Sequence, residues 1–101
     1  MTEGQTTSWI FLAIAIASKT APADYDSISN VADGINHAVP THRELQSSLT
    51  WLRKNELVVK TGSKFKLTEK GQLDYDMASR QTSSLLEIWD NLDTILNKYQ
   101  A

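Results

Sequence analysis

The strongest constraint on the fold is an unbroken apolar run of nine residues, Trp9–Ala17. A helix that is apolar on all sides has to be surrounded by the rest of the chain, so the run predicts a central, buried helix from about Thr7 to Ser18. The run is shorter than the roughly 20 apolar residues that span a bilayer. A secretory signal requires Lys or Arg ahead of its apolar stretch, and neither precedes this run. We therefore expect a cytoplasmic protein without membrane contacts.

Residue types exclude several classes of site. The chain has 101 residues, 41% of them hydrophobic, which fits one small globular unit. It has no cysteine and two histidines, which excludes disulfides, cysteine-ligated metals, a cysteine nucleophile and a three-histidine metal site. Asp74 and Asp76 are two residues apart on a predicted helix, so their carboxylates diverge. We expect no enzyme activity, no catalytic residue, no metal and no cofactor.

Charge is distributed unevenly along the chain. Residues 41–70 carry seven basic and three acidic side chains, a net charge of +4. All other residues together carry three basic and nine acidic side chains, net −6, which gives the total of −2. A basic segment within an acidic protein makes the distribution of charge over the protein surface asymmetric.

The second predicted helix follows the break at Ala21-Pro22-Ala23, because proline disfavours helix in the residue before it. Asp24 or Asp26 can cap this helix at its start. Its apolar residues recur at helical spacing and form one stripe: Ile28, Val31, Ala32 and Ile35.

The third predicted helix covers residues 41–55 and has the clearest start signal. Thr41 and Glu44 have the spacing of a capping box, in which each side chain accepts a hydrogen bond from the other residue's backbone N–H. The side chains that face the core are Leu45, Leu49 and Leu52. The opposite face holds Arg43, Ser47, Thr50 and Lys54, flanked by Gln46 and Arg53.

Residues 57–68 predict a β-hairpin. Two β-prone runs, 57–61 and 64–68, flank Gly62-Ser63, and glycine at the first turn position suits a type II′ turn. Alternation along the second strand puts Phe65 and Leu67 on one face and Lys64 and Lys66 on the other. Thr68 is then placed to cap a fourth helix from Glu69 to about Arg80.

The last predicted helix runs to about Tyr99 and carries a heptad pattern. The residues spaced 4, 3, 4 and 3 apart are Leu85, Trp89, Leu92, Leu96 and Tyr99. This seam is typical of helices that pair with a partner, so we predict a homodimer interface there. The alternative is that the helix closes over the first helix of its own chain. We accordingly divide the chain into residues 1–82 and an amphipathic dimerisation helix, residues 83–101.

Two segments carry a resemblance to a known family, SSLTWLRKNELVV at 47–59 and GSKFKLTEKG at 62–71, together with the apolar first helix. They resemble the winged helix-turn-helix domain of small bacterial regulators of the MarR and PadR kinds. Leu67-Thr68-Glu69-Lys70-Gly71 matches the leucine-threonine-x-x-glycine helix start of those proteins. The resemblance covers about half the chain and departs from the family at Asn55-Glu56, where glycine is common. We expect Asn55 to take the left-handed conformation there.

The resemblance implies a mainly α-helical fold with a small hairpin, and a sequence-specific regulator of transcription that binds double-stranded DNA as a homodimer. Helix 41–55 would lie in the major groove, and hairpin 57–68 would be the wing. The residues expected to contact bases are Thr41, His42, Arg43, Gln46 and Ser47. Those expected to contact the DNA backbone are Thr50, Arg53, Lys54, Lys60, Lys64 and Lys66.

A second interpretation keeps the fold and changes the partner. A winged helix can also be a protein-interaction module that does not bind DNA. The acidic net charge and the short hairpin favour this alternative, whereas the clustered lysines and the exposed Arg, Gln and Thr side chains of the third helix favour DNA. The sequence does not identify a small-molecule effector.

Overall fold

A computed structural model describes residues 1–100. Its elements, in chain order, are α1 (Glu3–Ala17), α2 (Tyr25–Asn36), α3 (His42–Lys54), β1 (Val58–Thr61), β2 (Lys64–Leu67), α4 (Glu69–Ser79), α5 (Leu85–Leu96) and a 3₁₀ turn (Asn97–Gln100). The two strands form one antiparallel hairpin. The expected mainly helical fold with a small β-hairpin is therefore confirmed.

Helix α1 is the centre of the molecule. It packs against the four other helices and against β2, and residues 8–15 are all buried. The helix begins at Glu3, four residues before the predicted start, because Thr2 and Gln5 form a capping box that the sequence analysis overlooked. The Gln5 N–H donates to Thr2 Oγ1 at 3.0 Å, and the Thr2 N–H donates to Gln5 Oε1 at 2.8 Å. Within residues 1–100, no helix combines the length and apolar character needed to cross a membrane.

Helix α2 is capped by Asp24, one of the two predicted candidates. The Ser27 N–H donates to Asp24 Oδ1 at 2.9 Å, and this hydrogen bond lowers the pKa of Asp24 below its usual 3.8. The predicted apolar stripe faces the core. Ile28, Ala32 and Ile35 are buried, and Val31 is half-buried.

Helix α3 begins with the predicted capping box. Thr41 Oγ1 accepts from the Glu44 N–H at 3.0 Å, and Glu44 Oε1 accepts from the Thr41 N–H at 2.9 Å. The three predicted core leucines are at most 3% exposed. The helix start and its inward face are both confirmed.

The end of α3 differs from the prediction. Asn55 has φ −90°, whereas Glu56 is left-handed with φ 61°. The Leu57 N–H donates to Leu52 O at 2.9 Å and the Glu56 N–H donates to Arg53 O at 3.0 Å. These two bonds form a Schellman motif, which places the left-handed residue one position after the C-cap. The expectation for Asn55 was therefore wrong by one residue.

The hairpin has the predicted strands and turn. Val58 pairs with Leu67, and Thr61 pairs with Lys64 across Gly62-Ser63. Gly62 has φ 64° and Ser63 is not left-handed, as a type II′ turn requires. Phe65 is buried whereas the two lysines of β2 are exposed.

A backbone bridge that the sequence did not indicate ties the hairpin to the segment before α2. Ala23 and Phe65 exchange two N–H···O hydrogen bonds, both 2.8 Å long. The bridge extends the hairpin into a small three-stranded arrangement beside α1. It therefore limits how far the hairpin can move relative to the helices.

Helix α4 begins at a tight joint with the end of α3. Thr68 accepts from the Gly71 N–H at 3.0 Å, and its hydroxyl donates to Glu56 O at 2.6 Å. A Cβ atom at Gly71 would overlap the Leu57 carbonyl oxygen, so the two segments approach as closely as they do only with glycine there. Lys70 Nζ donates to Asn55 O at 3.0 Å. This packing gives a structural reason for the Leu-Thr-x-x-Gly pattern.

Helix α5 ends earlier than predicted, at Leu96, and Tyr99 lies in the 3₁₀ turn. The boundary proposed after residue 82 falls in the turn between α4 and α5. Ile88 and Leu92 are buried in the same core as α1. In this structure α5 therefore packs on its own chain.

Candidate nucleic-acid interface

The outer surface of α3 is set by the burial of its leucines. Because the leucine face packs on α1, the opposite face of the helix points to solvent. Every side chain expected to contact DNA is exposed: Thr41, His42, Arg43, Gln46, Ser47, Thr50, Arg53, Lys54, Lys60, Lys64 and Lys66.

The Lys and Arg side chains of this surface make no ion pair in the described residues, although the charge of Lys64 helps to lower the pKa of Asp24. Among residues 1–100 the one ion pair joins Lys98 to Asp74, far along the chain from α3. The nearest acid on the helix, Glu44, is half-buried and its carboxylate is engaged by the Thr41 N–H. The positive charge of α3 and the hairpin is therefore available to an external anion.

Three aromatic rings connect the start of α3 to the hairpin. The His42 ring stacks on Tyr25, with centroids 6.4 Å apart and planes at 28°. Tyr25 meets the Phe65 ring edge-on at 5.7 Å, and Lys60 Nζ lies 5.9 Å from the Phe65 centroid. Tyr25 therefore contacts both the predicted base-reading end of α3 and the hairpin. Tyr25 was not among the predicted site residues, because its local sequence pattern indicates only the first turn of a helix.

Some of the predicted contact residues line two separate open clefts. Arg43 and Ser47 line a cleft of about 480 Å³ between α3 and the start of α1, together with Trp51. The C-terminal half of α3 borders a second groove of about 570 Å³ with β1, which Arg53 and Lys60 line. Two of the five residues assigned to bases line the first cleft, and four of the six assigned to the DNA backbone line the second.

Lys64 and Lys66 extend the basic surface along β2. Both are exposed, and Lys66 lines a groove of about 310 Å³ beside Lys19 at the end of α1. Lys19 was not among the predicted contacts, because it lies outside the basic segment 41–70. Within the described chain, His, Asp and Glu side chains do not gather in threes around a position for a metal ion.

The predicted dimer seam is largely occupied by the chain itself. Leu92 and Leu96 are 0% and 3% exposed. The Trp89 ring stacks on Trp9 at 6.2 Å, and its indole N–H donates to Gln5 O at 2.9 Å. Of the seam residues with apolar aliphatic side chains, Leu85 is the exposed one, at 41%. Other exposed large apolar side chains of α4 and α5 are Leu73, Met77 and Leu86.

A second polar cluster, also missed from sequence, joins the C-terminal turn to α4. Asp74 is 4% exposed and accepts from the Tyr99 hydroxyl at 2.7 Å and from Lys98 Nζ at 3.3 Å. Burial of the phenol and its bond to Asp74 raise the pKa of Tyr99. Burial alone would lower the pKa of Lys98, but its hydrogen bond to Asp74 and that residue's charge raise it overall.

Comparison of the chain with protein-family models, with curated proteins and with solved structures found no match. Function is therefore inferred from the geometry and charge of α3 and the hairpin.

Proposed function

We propose that the protein is a transcription regulator that binds double-stranded DNA at specific sequences, with α3 in the major groove and the β1–β2 hairpin as a wing. The main support for this proposal is the exposure of the basic side chains. The six basic side chains of α3 and the hairpin are exposed and make no ion pair within residues 1–100. A surface of exposed cations without ion-pair partners suits a phosphate backbone.

The shape of α3 suits base reading. A major groove is about 12 Å wide and admits one α-helix, whose N-terminal residues meet the base edges. Arg43 and Gln46 are exposed in the first half of α3. Arginine can bridge O6 and N7 of guanine, and glutamine can pair with adenine. Arg53, Lys54 and the hairpin lysines supply phosphate contacts in this arrangement.

The acidic side chains outside residues 41–70 favour one orientation of the protein as it approaches DNA. Exposed Asp76, Glu87 and Asp90 lie on α4 and α5. These carboxylates repel phosphate, whereas the α3 side attracts it, so the field of the protein orients it toward the duplex. A net charge of −2 is therefore compatible with DNA binding through one face.

We propose that the regulator acts as a homodimer through the exposed apolar side chains of α4 and α5. Leu73, Met77 and Leu86 are between 53% and 64% exposed. A two-fold dimer would present two α3 helices to half-sites about 34 Å apart. Sedimentation of the wild type and of Leu86→Glu tests this. A dimer that Leu86→Glu dissociates supports it, and a wild-type monomer at tens of micromolar contradicts it.

The test of DNA binding is selection of bound sequences from a random duplex pool, followed by titration at two salt concentrations. Arg43→Ala and Gln46→Ala should each lose about 1–3 kcal/mol of discrimination between sites. Lys64→Ala and Lys66→Ala should weaken binding to all duplexes alike and flatten the salt dependence, because fewer counterions are released. Arg80→Ala, which removes an exposed cation outside this face, is the matched control and should bind like wild type.

Failure to enrich any duplex at low salt would favour a protein-interaction module instead. The observation that supports this second candidate is the exposure of Leu73 and Met77 on one face of α4. In that case a Leu73→Ser/Met77→Ser variant should lose a partner protein that the wild type and Arg43→Ala both retain.

A further inference from the structure

The C-terminal turn contacts the proposed reading helix through one side chain, Tyr99. Its ring meets Trp51 of α3 edge-on, with centroids 6.3 Å apart and planes at 76°. Its hydroxyl donates to Asp74 Oδ2 of α4 at 2.7 Å. Asp74 is 4% exposed, so the tyrosine hydroxyl is bonded to a buried carboxylate on α4.

Two lysine ammonium groups lie close to the Tyr99 ring. Lys98 Nζ lies 5.0 Å from the ring centroid and also binds Asp74, and Lys70 Nζ lies 4.8 Å from the centroid. Lys70 donates to Asn55 O, the carbonyl of the α3 C-cap residue. The turn is therefore connected to α3 at Trp51 and, through Lys70, at the end of the helix.

Trp51 transmits this attachment to the residues proposed to contact bases. It follows Ser47 by one helical turn and Arg43 by two, so the three side chains are close to one line along α3. All three line the same cleft. A rotation of α3 that moves the Trp51 ring therefore moves Arg43 as well.

We propose that Tyr99 is a positioning residue, which uses its hydrogen bond to Asp74 and its contact with Trp51 to hold α3 in the orientation that lets Arg43 meet a base edge. This inference rests on the proposed function. It assigns the orientation of α3 to a residue that lies outside the proposed DNA-binding surface. Tyr99 contacts no DNA in this arrangement and acts through Trp51.

The decisive variant is Tyr99→Phe, which keeps the ring and removes the hydroxyl. Tyr75→Phe is the matched control, because Tyr75 is a half-buried tyrosine of α4 that lines the groove between α1 and β2 instead. Three readouts are measured in each variant: the ratio of specific to non-specific affinity, the salt dependence, and the indole N–H signals in a ¹H–¹⁵N spectrum. Trp9 and Trp89, whose indoles bond backbone oxygens of α2 and α1, serve as internal references, and Trp51→Phe assigns the third signal.

Tyr99→Phe should shift the Trp51 indole signal and lower the specificity ratio by about tenfold, the worth of one hydrogen bond to a charged group. Non-specific affinity and the salt dependence should be unchanged, because no phosphate contact is lost. Tyr75→Phe should match wild type in all three readouts. A merely structural role for Tyr99 would instead lower specific and non-specific binding by the same factor.

An unchanged specificity ratio in Tyr99→Phe, or an equal loss in both kinds of binding, would overturn the inference. The indole spectrum separates this result from failure of the proposed function. If wild type enriches no duplex, a Trp51 shift in Tyr99→Phe alone still supports positioning of α3 by Tyr99, and an unmoved Trp51 signal refutes it.

Discussion

Helices α3 and α5 follow the same plan and differ in what they show to solvent. Each packs an apolar stripe on α1, and each begins with a hydroxyl cap followed three residues later by glutamate. The outer face of α3 carries Arg43, Arg53 and Lys54, whereas that of α5 carries Glu87 and Asp90. The apolar stripe of a helix therefore shows only that one side of the helix is buried. The exposed residues on its other side indicate what kind of external partner the helix could bind.

The largest expected effects test whether the two stripes are equally part of the core. Leu49→Ala in α3 and Leu92→Ala in α5 remove side chains that are 3% and 0% exposed. Each should lower the free energy of unfolding by about 2–5 kcal/mol, the range for buried leucines. Urea denaturation measures both. If Leu92→Ala has the same free energy of unfolding as wild type, α5 is not packed in the core. The conclusion that α3 and α5 both pack an apolar stripe on α1 would then be wrong.

The next effect tests a difference between the two helices, since the segment after α3 packs closely on Gly71 of α4, whereas the turn after α5 is tied to α4 by side-chain hydrogen bonds to Asp74. Gly71→Ala should lower the free energy of unfolding by about 1–3 kcal/mol, because the new methyl group overlaps the Leu57 carbonyl oxygen. Gly34→Ala is the control. No atom lies within 4 Å of the Cβ that it would add to α2, so it should stabilise the protein by up to about 1 kcal/mol. Equal effects of the two changes would argue against the joint.

The helix starts look alike in sequence but not in structure. Thr41 and Glu44 cap each other, whereas the Glu87 carboxylate accepts from the Thr82 hydroxyl at 2.6 Å. The single cap bond of Ser84 is 3.4 Å long. Thermal unfolding should therefore show a loss of about 1 kcal/mol for Thr41→Ala and a smaller loss for Ser84→Ala. A larger loss for Ser84→Ala than for Thr41→Ala would contradict the conclusion that the Thr41 cap is the stronger one.

The smallest effect concerns pH. The pKa of Tyr99 is raised above its usual 10.0 and that of Lys98 above 10.5, so the folded state favours the protonated form of both groups. Their contribution to stability is complete below about pH 10 and is lost as the pH rises through the folded-state values. Denaturation at several pH values should show this decline, and Tyr99→Phe should reduce it. Tyr75→Phe should leave the decline as in wild type.

Elements with local signals were predictable from the sequence. The α3 capping box, the apolar stripe of α2 and the alternation of Phe65 with its lysine neighbours depend on residues a few positions apart. The outward face of α3 follows directly from its leucine stripe. These patterns were sufficient to find the elements and the exposed side chains of the candidate site.

Contacts between distant residues were not predictable in this way. The Ala23–Phe65 bridge and the Trp51–Tyr99 contact join residues more than forty positions apart, and no periodicity encodes such a pairing. The heptad pattern of α5 likewise cannot distinguish packing on its own chain from packing on a second one. Charge patterning supplied the candidate surface, but only the fold placed Tyr25 and Tyr99 beside it.

The central position of α1 determines how the protein opens. Residues 8–15 of α1 are buried by the other helices and β2, so we expect their amide hydrogens to exchange with solvent water only when those elements separate from the helix. Such amides report the free energy of global unfolding. No smaller cooperative unit can keep the α3 surface in place once α1 is exposed. We therefore expect any opening that exposes residues 8–15 to remove the basic face of α3 as well.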